Sequence, residues 1–469
     1  MITDALIDLP PTLEADVAIA GAGPGGIVLA LELSKKGRKV LLIEGGGSDD
    51  PGPGASIYDN STSGRPYPLD GSRLRWLGGT SNHWGGWVRP FDDRDFTDEP
   101  VNGLPGWPIS AAELTPHYET AASWCEVDSA NYRLDSLSTE NRERLLDLSG
   151  TRFVNRLFRF SPPTRFGTRY RDQLASSDDI DCRVNLNLTT LIQSDSGVRS
   201  ATAITLDGKQ CEIRAEHFVV AMGGVENPRF LLNQQAVPGN QSDFVGRCFM
   251  DHFGFSPGSM MSRASMPYPR GQISSQDIML VIAPESIGPH SCFTLTPSRP
   301  DDLLPPAYWS NAIIAERDST IYRIGMINAP TPHPESRISL SDDRDALGLR
   351  RTHLHWHLPE TDFDPVIELY QALVSDLSSS GYARFKWTKQ SPPAETDFVG
   401  VGYHHMGTTR MSASPDTGVV DANCRVWDRD NLFMLGSSLF PCAGFANPTL
   451  TIAALATRLA GHLNQRLEG

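Results

Sequence analysis

Apolar and polar positions change rhythm three times between Asp16 and Glu44, in the stretch DVAIAGAGPGGIVLALELSKKGRKVLLIE. An unbroken apolar run closing at Ala20 predicts a buried strand. Ile27, Leu29, Ala30 and Leu33 then fall on one face of a helix, which Gly37 ends. Val40 to Ile43 predicts a second buried strand, and Glu44 stands at its end. Phe218 to Ala221 is another such run, entering Gly223-Gly224 before a helix that opens near Val225. Two β-rich segments flank the turn Ser194–Gly197. Ser336 to Leu340, followed by Asp345 and Gly348, predicts two strands around a turn, and Thr352 to Leu358 alternates. Ser110 and Glu113 form a capping box for a helix. Asp362 to Ser378 predicts an amphipathic helix, and Leu432 to Leu435 a short buried strand. The last helix is expected from Thr449 to about Leu463, with Pro448 at its start and Asn447 as N-cap. From Gly45 to Arg75 no period holds, which predicts a long irregular segment lining a site.

The turn between the first strand and its helix carries chemistry. Gly21 permits the tight turn, Gly23 lets the backbone approach a pyrophosphate, and Gly26 lets helix and strand pack closely. Pro24 suits the first helical turn, where an amide hydrogen has no partner. The Glu44 carboxylate is placed to hydrogen-bond the hydroxyls of an adenosine ribose. Strand, glycine turn, helix, strand and acid in that order predict a dinucleotide site. NAD and FAD both fit this unit, whereas the 2′-phosphate of NADP would meet the Glu44 charge.

Length and charge narrow the class. At 469 residues, the chain is expected to form two domains sharing one large core. Charged residues make up 21% of the chain and mean hydropathy is -0.29, values of an ordinary soluble protein. A net charge of -15 without a basic stripe argues against nucleic acid as a partner. No apolar run approaches the roughly 18 residues of a membrane span. The first 16 residues lack the basic and apolar regions of a signal peptide. Seven scattered cysteines without CxxC spacing suggest reduced thiols and a cytoplasmic location. His353, His355 and His357 alternate on one strand face, but no matching Cys or acid cluster accompanies them, so no metal is expected.

Two further stretches are specific. Arg75 to Trp87 reads RWLGGTSNHWGGW, with paired glycines on either side of Ser, Asn, His and Trp. That composition suits a backbone wrapped around a planar ligand. Three tryptophans in it would be costly to leave in water. Near the carboxyl end stand GYHHMGTTRM at 402–411, NLFMLGSS at 431–438 and FANPTLT at 445–451.

LGGTSNHWGG resembles the flavin-contacting segment of the glucose-methanol-choline (GMC) oxidoreductases, particularly their pyranose-oxidase-like branch. The carboxyl-terminal motifs, Val245 to His252 and the Gly223-Gly224 strand resemble segments of the same family in the same order. The resemblance implies a mixed α/β and α+β architecture, a Rossmann-like FAD-binding domain with a discontinuous, sheet-based substrate domain. Residues 1–253 are expected to be mainly FAD-binding, with insertions contributing to the substrate side. Residues 254–397 would bind substrate, and 398–469 would return to the FAD domain.

Further implications of the resemblance concern individual residues. FAD would contact Gly21, Gly23, Gly26, Glu44, Gly79, Thr80, Asn82, His83, Trp84, Gly85, Leu188, Gly223, Gly436, Pro448 and Thr449. His83 stands where pyranose oxidase attaches its flavin covalently, while other relatives keep a similar histidine without a bond. The last helix would point its N-terminus at the flavin pyrimidine, favouring negative charge near N1. His404 would be the base that takes the alcohol proton, and Asn447 would orient the alcohol oxygen. The substrate would be a small-molecule alcohol, foremost a sugar, glycoside or polyol, with oxygen or another compound as electron acceptor. Two alternatives stay open. One is a family member acting on a secondary-metabolite or sterol alcohol, and the other a lyase or non-catalytic flavoprotein.

Overall fold

The apolar run closing at Ala20 becomes the strand Thr12–Ala20, whose last four residues are buried. A strand apolar on both faces needs neighbours on each side and cover above and below. It finds them in the computed structural model, which describes residues 1–50, 56–97, 99–143, 145–162, 164–262, 278–285, 290–298, 320–381, 383–387 and 400–469. Val40–Ile43 pairs with it in parallel on one side and Gln210–Val220 on the other. Among the described residues this sheet has eight strands. Ile180–Val184 and Ile2–Asp4 extend the first side in parallel. Gln210–Val220 changes partner along its length. Its start pairs with antiparallel Val198–Ile204, which in turn pairs with Asn187–Gln193, and its end with parallel Leu432–Met434.

The principal helices are α1 (Pro24–Ser34), α2 (Ala111–Trp124), α3 (Gly223–Leu232), α4 (Asp364–Ser379) and α5 (Thr449–Glu468). α1 was expected to have one apolar face, yet Gly25 to Leu31 are all buried. The reason is that α5 packs on it as well as the sheet, so it is covered on both sides. α2 begins with the expected capping box, in which the Ser110 hydroxyl accepts from the Glu113 amide and the Glu113 carboxylate accepts from the Ser110 amide.

A second sheet, antiparallel throughout, runs in the order Ala383–Trp387, Phe253–Ser262, Thr320–Asn328, Ser291–Ser298, Ile278–Pro284, Phe153–Phe160 and Trp87–Val88. Gly400–Val401 pairs with the start of Phe253–Ser262. The expected strand pair is Arg337–Arg344 with Arg350–Trp356, turning through Asp345 to Leu349.

Two expectations are corrected. The segment 45–75 is not irregular throughout, because Asn60–Gly64 forms a strand pairing in parallel with Thr352 to Trp356. Asn447 does not cap α5. The helix opens at Thr449 with Pro448 (φ -73, ψ -21) in the cap position, and no side-chain cap bond forms.

His353 lies 2.8 Å from the Ser61 hydroxyl and 2.9 Å from that of Ser63, so it braces this third sheet. No cluster of three or more His, Cys, Asp or Glu suited to a metal occurs among the described residues. No helix of the described residues is long and apolar enough to cross a membrane. The seven cysteines are unpaired.

Candidate active site

Four parallel strands of the first sheet end on one edge, and each hands its chain to a glycine or an acid there. Thr12–Ala20 leads to Gly21, Val40–Ile43 to Glu44, Gln210–Val220 to Gly223, and Leu432–Met434 to Gly436. The carboxyl edge of such a sheet, where crossovers diverge, is where a ligand finds room. A cavity of about 450 Å³ lies there, lined by all four of those residues.

The glycines of the first turn behave as their chemistry requires. Gly21 has φ +109, and a Cβ there would stand 2.4 Å from the Ala221 carbonyl oxygen. A Cβ on Gly26 would lie 1.9 Å from the Gly21 oxygen, so Gly26 serves packing and stands outside the cavity lining. At Gly23 nothing lies within 4 Å of such a carbon. That open face beside the N-terminus of α1 fits a pyrophosphate, held by amides and dipole together.

The GGTSNHW segment lies over this turn. The Gly78 amide donates to the Ala22 carbonyl at 2.8 Å. A Cβ on Gly79 would stand 3.3 Å from Gly23 Cα. Gly79, Thr80, His83, Trp84 and Gly85 line the cavity. Asn82 does not; its amide nitrogen donates to the carbonyls of Leu77 (3.1 Å) and Gly79 (3.0 Å), shaping the turn from behind. Trp84 anchors the segment by donating its indole N–H to Thr164 O at 2.8 Å. Burial and the Arg165 charge lower the pKa of His83.

Glu44 is buried and accepts from the amides of Ala22 (3.2 Å) and Gly46 (2.8 Å). Burial raises its pKa, against the Gly46 amide and the Arg75 charge, which lower it. Leu188 lines the same end. Arg73 pairs with Glu226, which also binds Arg229 at 2.9 Å, and Arg229 reaches Asp345 at 2.5 Å. This buried chain of charges ties the loop before GGTSNHW to α3 and to the hairpin of the third sheet.

At the other end stand His404, His405, Asn447, Pro448 and Thr449. Residues 43 positions apart thus face one cavity. The Asn447 Oδ1 is buried without a hydrogen-bond partner, as suits an atom kept for a ligand. His404 is half-buried at the cavity wall, and burial, then His252 and His405, hold its pKa well below the usual value. His405 packs against Tyr67 and Phe249, both with ring centroids 5.8 Å away. Burial pushes its pKa down to about 3.

Two site residues were not singled out by sequence. Asp251 and His252 are buried directly behind His404, one touching its backbone and the other its ring. The available signal was their place in the Val245–His252 segment, but nothing in spacing links them to a residue 152 positions on.

A cavity lined by a glycine turn, a buried acid at a strand end and a histidine is the arrangement of a dinucleotide-dependent oxidoreductase. Comparison with known proteins agrees. A family model described as FAD binding domain matches residues 14–63, and one described as GMC oxidoreductase matches 332–456. Residues 332–456 thus resemble a GMC oxidoreductase domain and residues 14–63 an FAD-binding one, and the chain is an FAD-dependent oxidoreductase acting on CH–OH groups.

It is 24% identical to a 2-methyl-1,2-propanediol dehydrogenase of Mycolicibacterium austroafricanum, over 97% of this chain and 96% of that protein. It is 25% identical to a fructose dehydrogenase large subunit of Gluconobacter japonicus, over 96% and 97%. The crystal structure of pyridoxine 4-oxidase from Mesorbium loti shares the fold, with TM-score 0.63, 18% identity, and coverage of 96% of this chain and 99% of that one.

Proposed function

We propose that this protein oxidises a carbinol carbon of a polyhydroxylated substrate, a sugar, glycoside or polyol, with His404 as base and Asn447 as the residue that orients the alcohol oxygen. The observation that carries the reading is the position of both side chains on the cavity that the glycine turn also lines. Relatives named for a diol and for fructose support a substrate bearing several hydroxyls.

Bound FAD supplies the acceptor for the hydride leaving carbon. An alcohol is a weak acid, so its proton must be taken as the hydride departs. His404 suits this because its depressed pKa keeps the ring unprotonated near neutral pH. Asn447, free of a capping bond, offers its amide to the alcohol oxygen. The N-terminus of α5, with Pro448 and Thr449 on the cavity wall, would favour negative charge on a flavin held there.

His83 is the proposed point of flavin attachment, with noncovalent packing as the alternative. A yellow pellet after acid precipitation that turns colourless in His83→Ala supports the bond, and a colourless wild-type pellet rules it out. The unpaired thiols support a cytoplasmic site of action. Oxygen uptake during turnover separates oxygen from another electron acceptor. The substrate class is tested by anaerobic mixing with sugars, polyols, glycosides, sterols and simple alcohols. Flavin bleaching by polyhydroxylated compounds is expected; bleaching by sterols or simple alcohols alone contradicts the reading.

A further inference from the structure

His404 is held by a second imidazole. Its Nδ1 lies 2.9 Å from Nδ1 of His252, whose Nε2 lies 2.8 Å from the carbonyl oxygen of Gly444. A carbonyl oxygen only accepts, so the Nε2 of His252 must carry a hydrogen. His252 is 2% exposed, and burial lowers its pKa, which favours the neutral ring. A neutral imidazole has one N–H, so Nδ1 of His252 is left with a lone pair. The hydrogen between the two rings therefore belongs to Nδ1 of His404. Neutral His404 then keeps its own lone pair on Nε2.

We propose that His252 is a positioning residue that locks His404 in its Nδ1–H tautomer, leaving Nε2 as the unprotonated nitrogen available to substrate. The inference rests on the reading of His404 as base. It adds how that base is prepared, since the Nε2–H tautomer usual for histidine in water would present a hydrogen where a lone pair is needed.

The surroundings hold the ring in one orientation. The two imidazoles are near perpendicular, at 87° with centroids 4.9 Å apart. Asp251, next in the chain, fixes the backbone, accepting from the His404 amide at 2.7 Å and from the Tyr403 amide at 2.9 Å. The Tyr67 hydroxyl donates to the same carboxylate at 2.6 Å. Tyr403 has φ +58, a left-handed conformation unfavourable for a non-glycine residue and sustained by these bonds. A Cβ on Gly402 would stand 2.6 Å from His404 Nδ1, so that position must stay bare.

The charged groups around the pair do not upset the assignment. Asp95 acts on His252 from a distance, but its carboxylate is already engaged by His290 and by the Asp92 amide at 2.7 Å. His405, on the other side, disfavours a cation at His404.

Three substitutions separate the tautomer role from simple support. His252→Asn places an amide oxygen where the ring Nδ1 stood and keeps an acceptor for His404. His252→Gln restores the donor to Gly444 but puts no acceptor near His404, and His252→Leu provides neither. With FAD content equal, anaerobic flavin reduction is expected to stay near wild type in the Asn variant. It should fall by about 10²–10⁴-fold in Gln and Leu, the range for a lost or mis-protonated catalytic histidine, with KM little changed.

The second readout is the 15N spectrum of histidine-labelled protein. The resonance lost in His404→Asn should be that of a neutral Nδ1–H ring, and it should change to the Nε2–H pattern in His252→Gln. Equal rates in Asn and Leu, a wild-type rate in Gln, or an Nε2–H signal from His404 in the native protein would each overturn the proposal. If His404→Ala itself reduces flavin at the wild-type rate, the base reading fails separately, and the 15N signature still tests the tautomer.

Discussion

Glu44, the proposed ribose ligand, also has a place in the fold. Its carboxylate already accepts from the Ala22 and Gly46 amides, so it braces the glycine turn before any ribose arrives. Glu44→Ala should therefore weaken FAD retention by about 1–3 kcal/mol, the scale of hydrogen bonds to a charged group. Equilibrium dialysis of the cofactor measures it, and unchanged retention would remove Glu44 from the site.

His404 makes a prediction about pH. Its pKa is depressed below the ordinary 6.5, first by burial. The neutral, proton-accepting form then persists as pH falls through 6.5 and disappears only in more acidic solution. The rate of flavin reduction should stay level from neutral pH to below that value and decline only beyond it. An acid limb at or above 6.5 would contradict the assignment.

Among the elements, the two helix starts behave differently. α2 has a complete capping box, so Ser110→Ala should cost about 1 kcal/mol in a thermal or denaturant melt. α5 takes no cap from Asn447, so Asn447→Ala should leave the melt nearly unchanged while slowing flavin reduction. A large loss of stability in Asn447→Ala would restore the capping role and leave its chemistry unproven.

The sequence was a good guide wherever a local period or a turn residue decides structure. Thr12–Ala20, α1 and Val40–Ile43 appear at the expected places, as do the capping box and the hairpin turning at Asp345 and Gly348. Asn60–Gly64 was illegible because NSTSG has no apolar alternation. Its strand conformation comes from the partner strand, with Asn60 opposite Thr352 and Gly64 opposite Trp356. The α5 cap was misread because Asn before Pro satisfies the local rule, whereas the chain enters the helix one residue later. His252 escaped for a different reason. Its partner is fixed by tertiary packing across 152 positions, a distance no local pattern spans.

At the scale of the molecule, the cavity is assembled from segments far apart in sequence. The glycine turn at 21–26 begins the groove and GGTSNHW lies over it. The residues after Gln210–Val220 and Leu432–Met434 line it too, as do the irregular stretches 402–405 and 447–449. The parallel sheet sets where these ends meet. The antiparallel sheet contacts the same region through Phe253–Ser262, which pairs with Gly400–Val401 just before His404. On the proposed reading, this arrangement brings a dinucleotide and an alcohol to the same cavity as His404.

The central claim is that one histidine at this junction takes the alcohol proton while bound FAD takes the hydride. Anaerobic stopped-flow reduction of the flavin in wild-type protein and in His404→Ala, at matched FAD content and with the best substrate, tests it most directly. The variant should bind FAD normally and reduce it about 10²–10⁴-fold more slowly, the usual worth of a general base. Reduction at the wild-type rate would contradict the account.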